Sequence, residues 1–280
     1  MGNLMGLIVP LEGGGFDWPA GIDFAVERPG VESFASRPLF PGAGVDWLDN
    51  AVAQAFLALL IALAFWFIVS RNQKVVPGKR QFVGEFLYNM LRNTIARDIL
   101  GPDYRRFLPY LIAMFTFILV NNWFGEFFVF MFPTFSRIGF PYALALLTWI
   151  IYNAVGIQKF GPLGYLKKTT LPAGVPVFLW VLIIPLEFLS NVIVRPVTLA
   201  LRLFANMFGG HLVVLVFVLG GTYLIQLGVE QNIPYVFAGG ASLLLSFAIL
   251  GLEVFVGALQ AYIFTVLTAQ YIASALADEH

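Results

Sequence analysis

The sequence predicts an all-α integral membrane protein with about five spanning helices and one amphipathic helix at the membrane surface. Three observations carry that prediction. Hydrophobic residues make up 59% of the 280 residues and charged residues only 11%, whereas a soluble domain carries roughly a quarter charged residues. The mean hydropathy is +0.84. The apolar residues also fall in tracts long enough for a hydrocarbon core of about 30 Å. Sixteen basic residues balance sixteen acidic ones, which excludes a nucleic-acid footprint from net charge. There is no cysteine, so disulfides, thiolate metal sites and cysteine nucleophiles are excluded.

Residues 1–46 differ from the rest. Gly13, Gly14 and Gly15, five prolines from Pro10 to Pro41, and acidic residues such as Glu12, Asp17 and Glu32 read as an extended arm unable to pack a core. A signal peptide is not expected, because a basic start and a short apolar core before a cleavage site are both missing. The membrane domain is expected over 47–276, with a tail at 277–280. Its first span is 47–69. Next come Arg71, Lys74, Lys79, Arg80, Arg92, Arg97, Arg105 and Arg106, half the basic residues of the chain. Among them Phe82, Phe86, Leu87, Met90, Leu91 and Ile95 recur at helical spacing. They predict an amphipathic surface helix over 79–100 that begins after Pro77-Gly78.

Spans two and three are expected at 107–132 and 140–157, as a hairpin turning at Pro133–Gly139. Lys159, Lys167 and Lys168 mark a polar loop over 158–172. The last two tracts, 175–227 and 235–275, are too long for simple crossings. Forty helical residues reach about 60 Å, and a turn at lipid depth would expose unsatisfied backbone groups. Two long, strongly tilted helices are therefore expected. Loops 71–106 and 158–172 hold eleven basic residues, against three in segments 1–46 and 133–139. The positive-inside rule then puts the basic loops in the cytoplasm and the N-terminus outside, and five spans put the C-terminus in the cytoplasm.

Five ionisable residues lie inside the last two tracts: Glu187, Arg195, Arg202, His211 and Glu253. A charge at membrane depth costs at least ~3 kcal/mol, so each must face a partner or a water-filled path. Glu187 and Arg195 could snorkel to a membrane face, but Arg202 is far from either end of its tract. Arg202 and Asn206 are four apart and share a helix face. His211 is nine beyond Arg202, about half a turn round the axis, and so addresses different surroundings. Glu253 and Gln260 share a face of the last helix, and small residues (Ala200, Ala205, Gly209, Gly210, Gly257, Ala258, Ala261) would admit a close neighbour. Acids, a histidine and arginines together suggest ion translocation. Glu126, after Asn121-Asn122-Trp123-Phe124-Gly125, is expected at the membrane interface rather than in an outer vestibule. No phosphate-binding glycine loop, paired-histidine metal site or serine elbow occurs. No catalytic residue, metal or cofactor is expected.

The run RPVTLALRLFANMFGGH at Arg195–His211 resembles subunit a of the F-type ATP synthases, as do LQAYIFTVLTAQYI at Leu259–Ile272 and VVPGKRQFVGEF at Val75–Phe86. The resemblance extends over 48–276. It implies a non-catalytic stator subunit with two proton half-channels against a rotating c-subunit ring. Arg202 corresponds to the stator arginine, Asn206 and Gln260 to polar liners, His211 with Glu253 to an exchangeable acid/histidine pair, and Glu187 to an acid upstream of the arginine. An acid that some members carry in the second span corresponds to Gly125, next to Glu126. The implied partners are the c ring, peripheral-stalk subunit b, other ATP synthase subunits and membrane lipid. A sodium-translocating version, or a self-contained channel or secondary transporter, remains the alternative. The titration of His211 near neutrality favours protons.

Overall fold

The computed structural model describes residues 49–71, 73–126, 133–170, 177–230 and 233–277. The expected arm over 1–46, the ends of several expected spans (47–48, 127–132 and 175–176) and most of the tail lie outside the described residues. Among the described residues every regular element is helical. Five stretches among the described residues are long and apolar enough to cross a membrane: Asn50–Ser70, Lys79–Glu126, Gly139–Thr170, Trp180–Val229 and Ile233–Leu276.

Helix α1 (Asn50–Ser70) starts where Asp49 Oδ1 accepts the Val52 N–H at 2.9 Å, satisfying one orphan donor of the first turn. The other carboxylate oxygen of Asp49 pairs with Arg137, which ties the start of α1 to the turn after the second span. Farther along, Trp66 Nε1 donates to Thr116 Oγ1 at 3.0 Å. The amphipathic segment begins as α2 (Lys79–Met90) and continues through a π-helical stretch, Leu91–Arg97, into α3 (Asp98–Leu100). Its two halves behave differently. Phe82 and Phe86 stack 6.4 Å apart and stay exposed, whereas Leu91 and Ile95 are fully buried. Gly84 lies so close to α1 that a Cβ there would meet Val69 Cγ1 at 2.0 Å. Gly101, at φ 57°, ends the segment in a conformation that favours glycine, and Pro102 follows it.

Helix α4 (Tyr104–Glu126) carries much of the core through Phe107, Leu111, Met114 and Ile118. The turn after it is not a solvated loop: Thr134 and Phe135 are fully buried in a short 3₁₀ turn. Helix α5 (Gly139–Thr170) corrects the expectation of a loop over 158–172. The chain breaks direction at Gly161, φ 73°, before Pro162, and then resumes a helix to Thr170. The resumed turn packs back on the first part, because a Cβ on Gly156 would meet the Tyr165 ring at 2.1 Å. Its lysines have a structural use: Lys159 Nζ donates to the Leu276 carbonyl at 2.7 Å, and Lys168 Nζ to the carbonyls of Ser274, Ala275 and Ala277. They satisfy the last carbonyls of α8 (Ile233–Leu276), where positive charge is favoured.

Helix α6 (Trp180–Leu189) passes through a π segment, Ser190–Val194, into α7 (Arg195–Glu230). Pro196 supplies no N–H to the preceding turn, and the wider π turn directly before it absorbs the misfit. Helix α8 is one continuous helix of 44 residues, not a hairpin. At 1.5 Å per residue it is about 66 Å long, more than twice the hydrocarbon thickness, so crossing requires a strong tilt.

Candidate functional site

Helices α7 and α8 run antiparallel in a register that their close contacts define. A Cβ on Gly228 would meet Val236 at 2.6 Å, and one on Gly239 would meet the Gly221 carbonyl oxygen at 2.6 Å. Ser242 Oγ donates to the Phe217 carbonyl at 2.8 Å. Beyond that, a Cβ on Gly210 would lie 2.1 Å from Glu253 Oε1, and Gln260 Nε2 donates to the Arg202 carbonyl at 3.4 Å. Each step back along α7 matches a step forward along α8. Small residues make this possible, since they let two backbones approach where lipid supplies no hydrophobic drive.

The register brings one polar group together. Glu126, Asn206, Gly210 and Glu253 line a common cavity of about 380 Å³. Its third wall is α4, held on α8 by Asn122 Nδ2, which donates to the Gly257 carbonyl at 2.8 Å, and by Trp123 Nε1, which donates to the Val254 carbonyl at 3.1 Å. These bonds bring Glu126 into the same cavity as Glu253, so that two carboxyl groups from different helices face one space. Two carboxylates side by side offer acceptors only, so a proton on one of them relieves the repulsion between like charges. His211, one residue beyond Gly210, is buried at 5% exposure.

A second polar group forms nearer the end of α5. Asn191 Nδ2 donates to Glu187 Oε2 at 3.3 Å and to the Thr169 carbonyl at 3.0 Å, while Tyr152 Oη donates to the Asn191 carbonyl at 2.8 Å. The Arg195 guanidinium stands 5.3 Å from the centre of the Tyr271 ring, within cation–π range. Tyr271 in turn packs on Tyr152, with ring centres 5.7 Å apart. Glu187 is thus not part of the cavity that holds Glu253.

Arg202 lies between the two groups along the chain. Unlike His211 it is exposed, as are its neighbours Leu201 and Ala205. No ion pair engages it among the described residues. Around it the small residues divide: Gly209 has open space at its Cβ position, whereas Gly210 and Gly257 are filled by Glu253 and Asn122. One side of α7 therefore packs on α8, and the other presents an arginine among apolar residues.

A family model described as ATP synthase A chain matches residues 52–273. The chain belongs to that family. An ATP synthase subunit a of a Nocardioides strain is 45% identical over 269 residues, covering 96% of each chain. One of Pseudarthrobacter chlorophenolicus is 40% identical over 256 residues, covering 90% of this chain and 94% of its own. Another, of Frankia alni, is 40% identical over 268 residues, covering 94% and 90%. As a member of the family with five apolar helices of spanning length, the chain is a multi-pass membrane protein.

Within this family member, Glu126 joins the residues that line the cavity. It is 8% exposed and lines the cavity that Glu253 also lines. Its signal in the sequence was Asn122, four residues earlier on the same face of α4. A buried amide and a buried acid at that spacing point to a neighbouring helix with polar groups to meet them. Which helix that is could be read only from the packing.

Proposed function

We propose that this chain is the non-catalytic stator subunit of the membrane sector of an F-type ATP synthase, with ATP chemistry elsewhere in the complex. It passes protons through two half-channels facing a rotating ring of c subunits, and peripheral-stalk subunit b holds it in place. The entry path runs from outside past Glu126, Glu253, His211 and Asn206, and the exit runs past Glu187 towards the cytoplasm. Arg202 attracts an ionised ring carboxylate between the two paths and blocks direct leakage, while Gln260 lines the path beside it. Each charge moved through 100 mV releases ~2.3 kcal/mol, so several must be combined per ATP.

One observation carries this reading. Arg202 is exposed in the middle of an apolar helix, and no acid of the described chain pairs with it. A cation at that depth needs an anionic partner, and a carboxylate on another chain meets the need. The test is Arg202→Ala in the reconstituted complex, read as ATP-driven proton pumping. Assembly is retained and pumping is abolished. Arg202→Lys also fails, because a compact ammonium does not reproduce the planar, always-charged guanidinium. Pumping near the wild-type rate in either variant overturns the proposal.

A further inference from the structure

The basic stretch after α1 forms an open cradle remote from the polar groups described above. Arg71, Lys74, Lys79 and Arg80 line a cavity of about 640 Å³ together with Phe67 and Ile68. No ion pair engages any of the four cations among the described residues. The nearby acid, Glu85, is taken by Gln81, whose Nε2 donates to Glu85 Oε1 at 2.6 Å.

Gln81 also fixes the shape of the cradle. Its Oε1 accepts the Lys74 N–H at 3.0 Å, and its Nε2 donates to the Lys74 carbonyl at 2.8 Å. One side-chain amide thereby holds the loop before α2 as a strand neighbour would, and keeps Lys74 on the cavity that Lys79 and Arg80 also line. The start of α2 adds uncapped donors: Gly78 at the N-cap supplies no side chain, and the first turn has no acid.

The rim is apolar. Phe67 and Ile68 are 64% and 55% exposed, and Val75 and Val76 at the loop tip are almost entirely so. A free phosphate would use the cations and leave this rim in water. An amphiphile with an anionic phosphate head and acyl chains satisfies both parts, and such molecules surround any membrane-embedded helix. We infer that Arg71, Lys74, Lys79 and Arg80 form a headgroup site for an anionic phospholipid, with its acyl chains along Phe67 and Ile68. Gln81 is a positioning residue.

The test uses the assembled complex in phosphatidylcholine nanodiscs that contain a photoactivatable phosphatidylglycerol or the matching phosphatidylcholine probe, with the labelled peptide identified by mass spectrometry. In the wild type, residues 67–81 take the phosphatidylglycerol label in preference to phosphatidylcholine. Each basic residue near the surface contributes about a fivefold effect. Lys79→Gln with Arg80→Gln therefore lowers that labelling by about tenfold or more, while Arg97→Gln with Lys167→Gln, an equal charge change elsewhere, leaves it unaltered. Gln81→Ala lowers it with every charge retained. Equal labelling by both lipids, or unaltered labelling in Gln81→Ala, overturns the site. Displacement of the label by inorganic phosphate overturns the lipid as its source. Protection of the segment by another subunit, with no lipid label in the wild type, overturns it as well.

Discussion

Glu126 and Glu253 reach one cavity from different helices, and Glu253 fills the space beside Gly210 there. Two acids lining one low-dielectric cavity cannot both be ionised without strong repulsion, so replacing one should be felt by the other. Glu126→Gln retains volume and a donor, whereas Glu126→Leu leaves Glu253 without its partner. The expected result is a modest loss of passive proton flow for the first and a severe loss for the second, measured in membranes stripped of the catalytic head. A double-mutant cycle over Glu126, Glu253 and His211 ranks the partners. Coupling of Glu126 to Glu253 should exceed 0.5 kcal/mol, the level seen for residues in one network. Additive effects would separate the two acids.

The swap His211→Glu with Glu253→His tests the acid/histidine pair directly. The swapped protein should carry more protons than either single variant, because the chemistry of the pair survives exchange of places. If the swap is no better than the worse single variant, Glu253 works with Glu126 alone.

Glycines on the two helices should fail in different ways. A methyl at Gly210 meets only the end of the flexible Glu253 side chain, but one at Gly239 meets the Gly221 backbone carbonyl at 2.6 Å. Gly239→Ala is expected to destabilise the α7–α8 pair by about 1–3 kcal/mol, the usual range for overpacking. Gly210→Ala should leave thermal stability nearly unchanged and impair proton flow by displacing the carboxyl. Thermal unfolding and flux measured on both variants check this, and the opposite pattern would refute the register.

Much of this was legible in the sequence because membrane depth is a one-dimensional property. Arg202 stood out by its distance from both ends of an apolar tract, and α8 read as one helix because nothing in it signals a turn. Glu126 was less legible, since its surroundings depend on α8, more than a hundred residues away. The resumed helix after Gly161 escaped for a similar reason: Lys159 and Lys168 look like loop residues until the carbonyls of Ser274 to Ala277 are placed against them.

Those lysines give a stability prediction. Charges at a helix C-terminus contribute about 0.3–1 kcal/mol each. Lys159→Gln with Lys168→Gln should therefore cost about 0.6–2 kcal/mol and speed hydrogen exchange in the last turn of α8. Unchanged exchange at Ala275 to Ala277 would show that the caps are ornamental.

Orientation has its own check. Cysteines placed at Gln73 and Ile138, both exposed, should respond oppositely to an impermeant thiol reagent on intact cells. Ile138 is labelled and Gln73 is protected. The reverse result would exchange the entry and exit paths.

The backbone contact between Gly221 and Gly239 has a mechanical consequence. Meshed helices do not slide smoothly; one shifts past another by about a full turn, 5.4 Å, or stays seated. Sideways load on the exposed face of α7 is therefore met by a ratchet tooth placed far from the arginine. While that tooth holds, Gln260 stays on the Arg202 carbonyl and Glu253 stays over Gly210, and a single slip would unseat both at once.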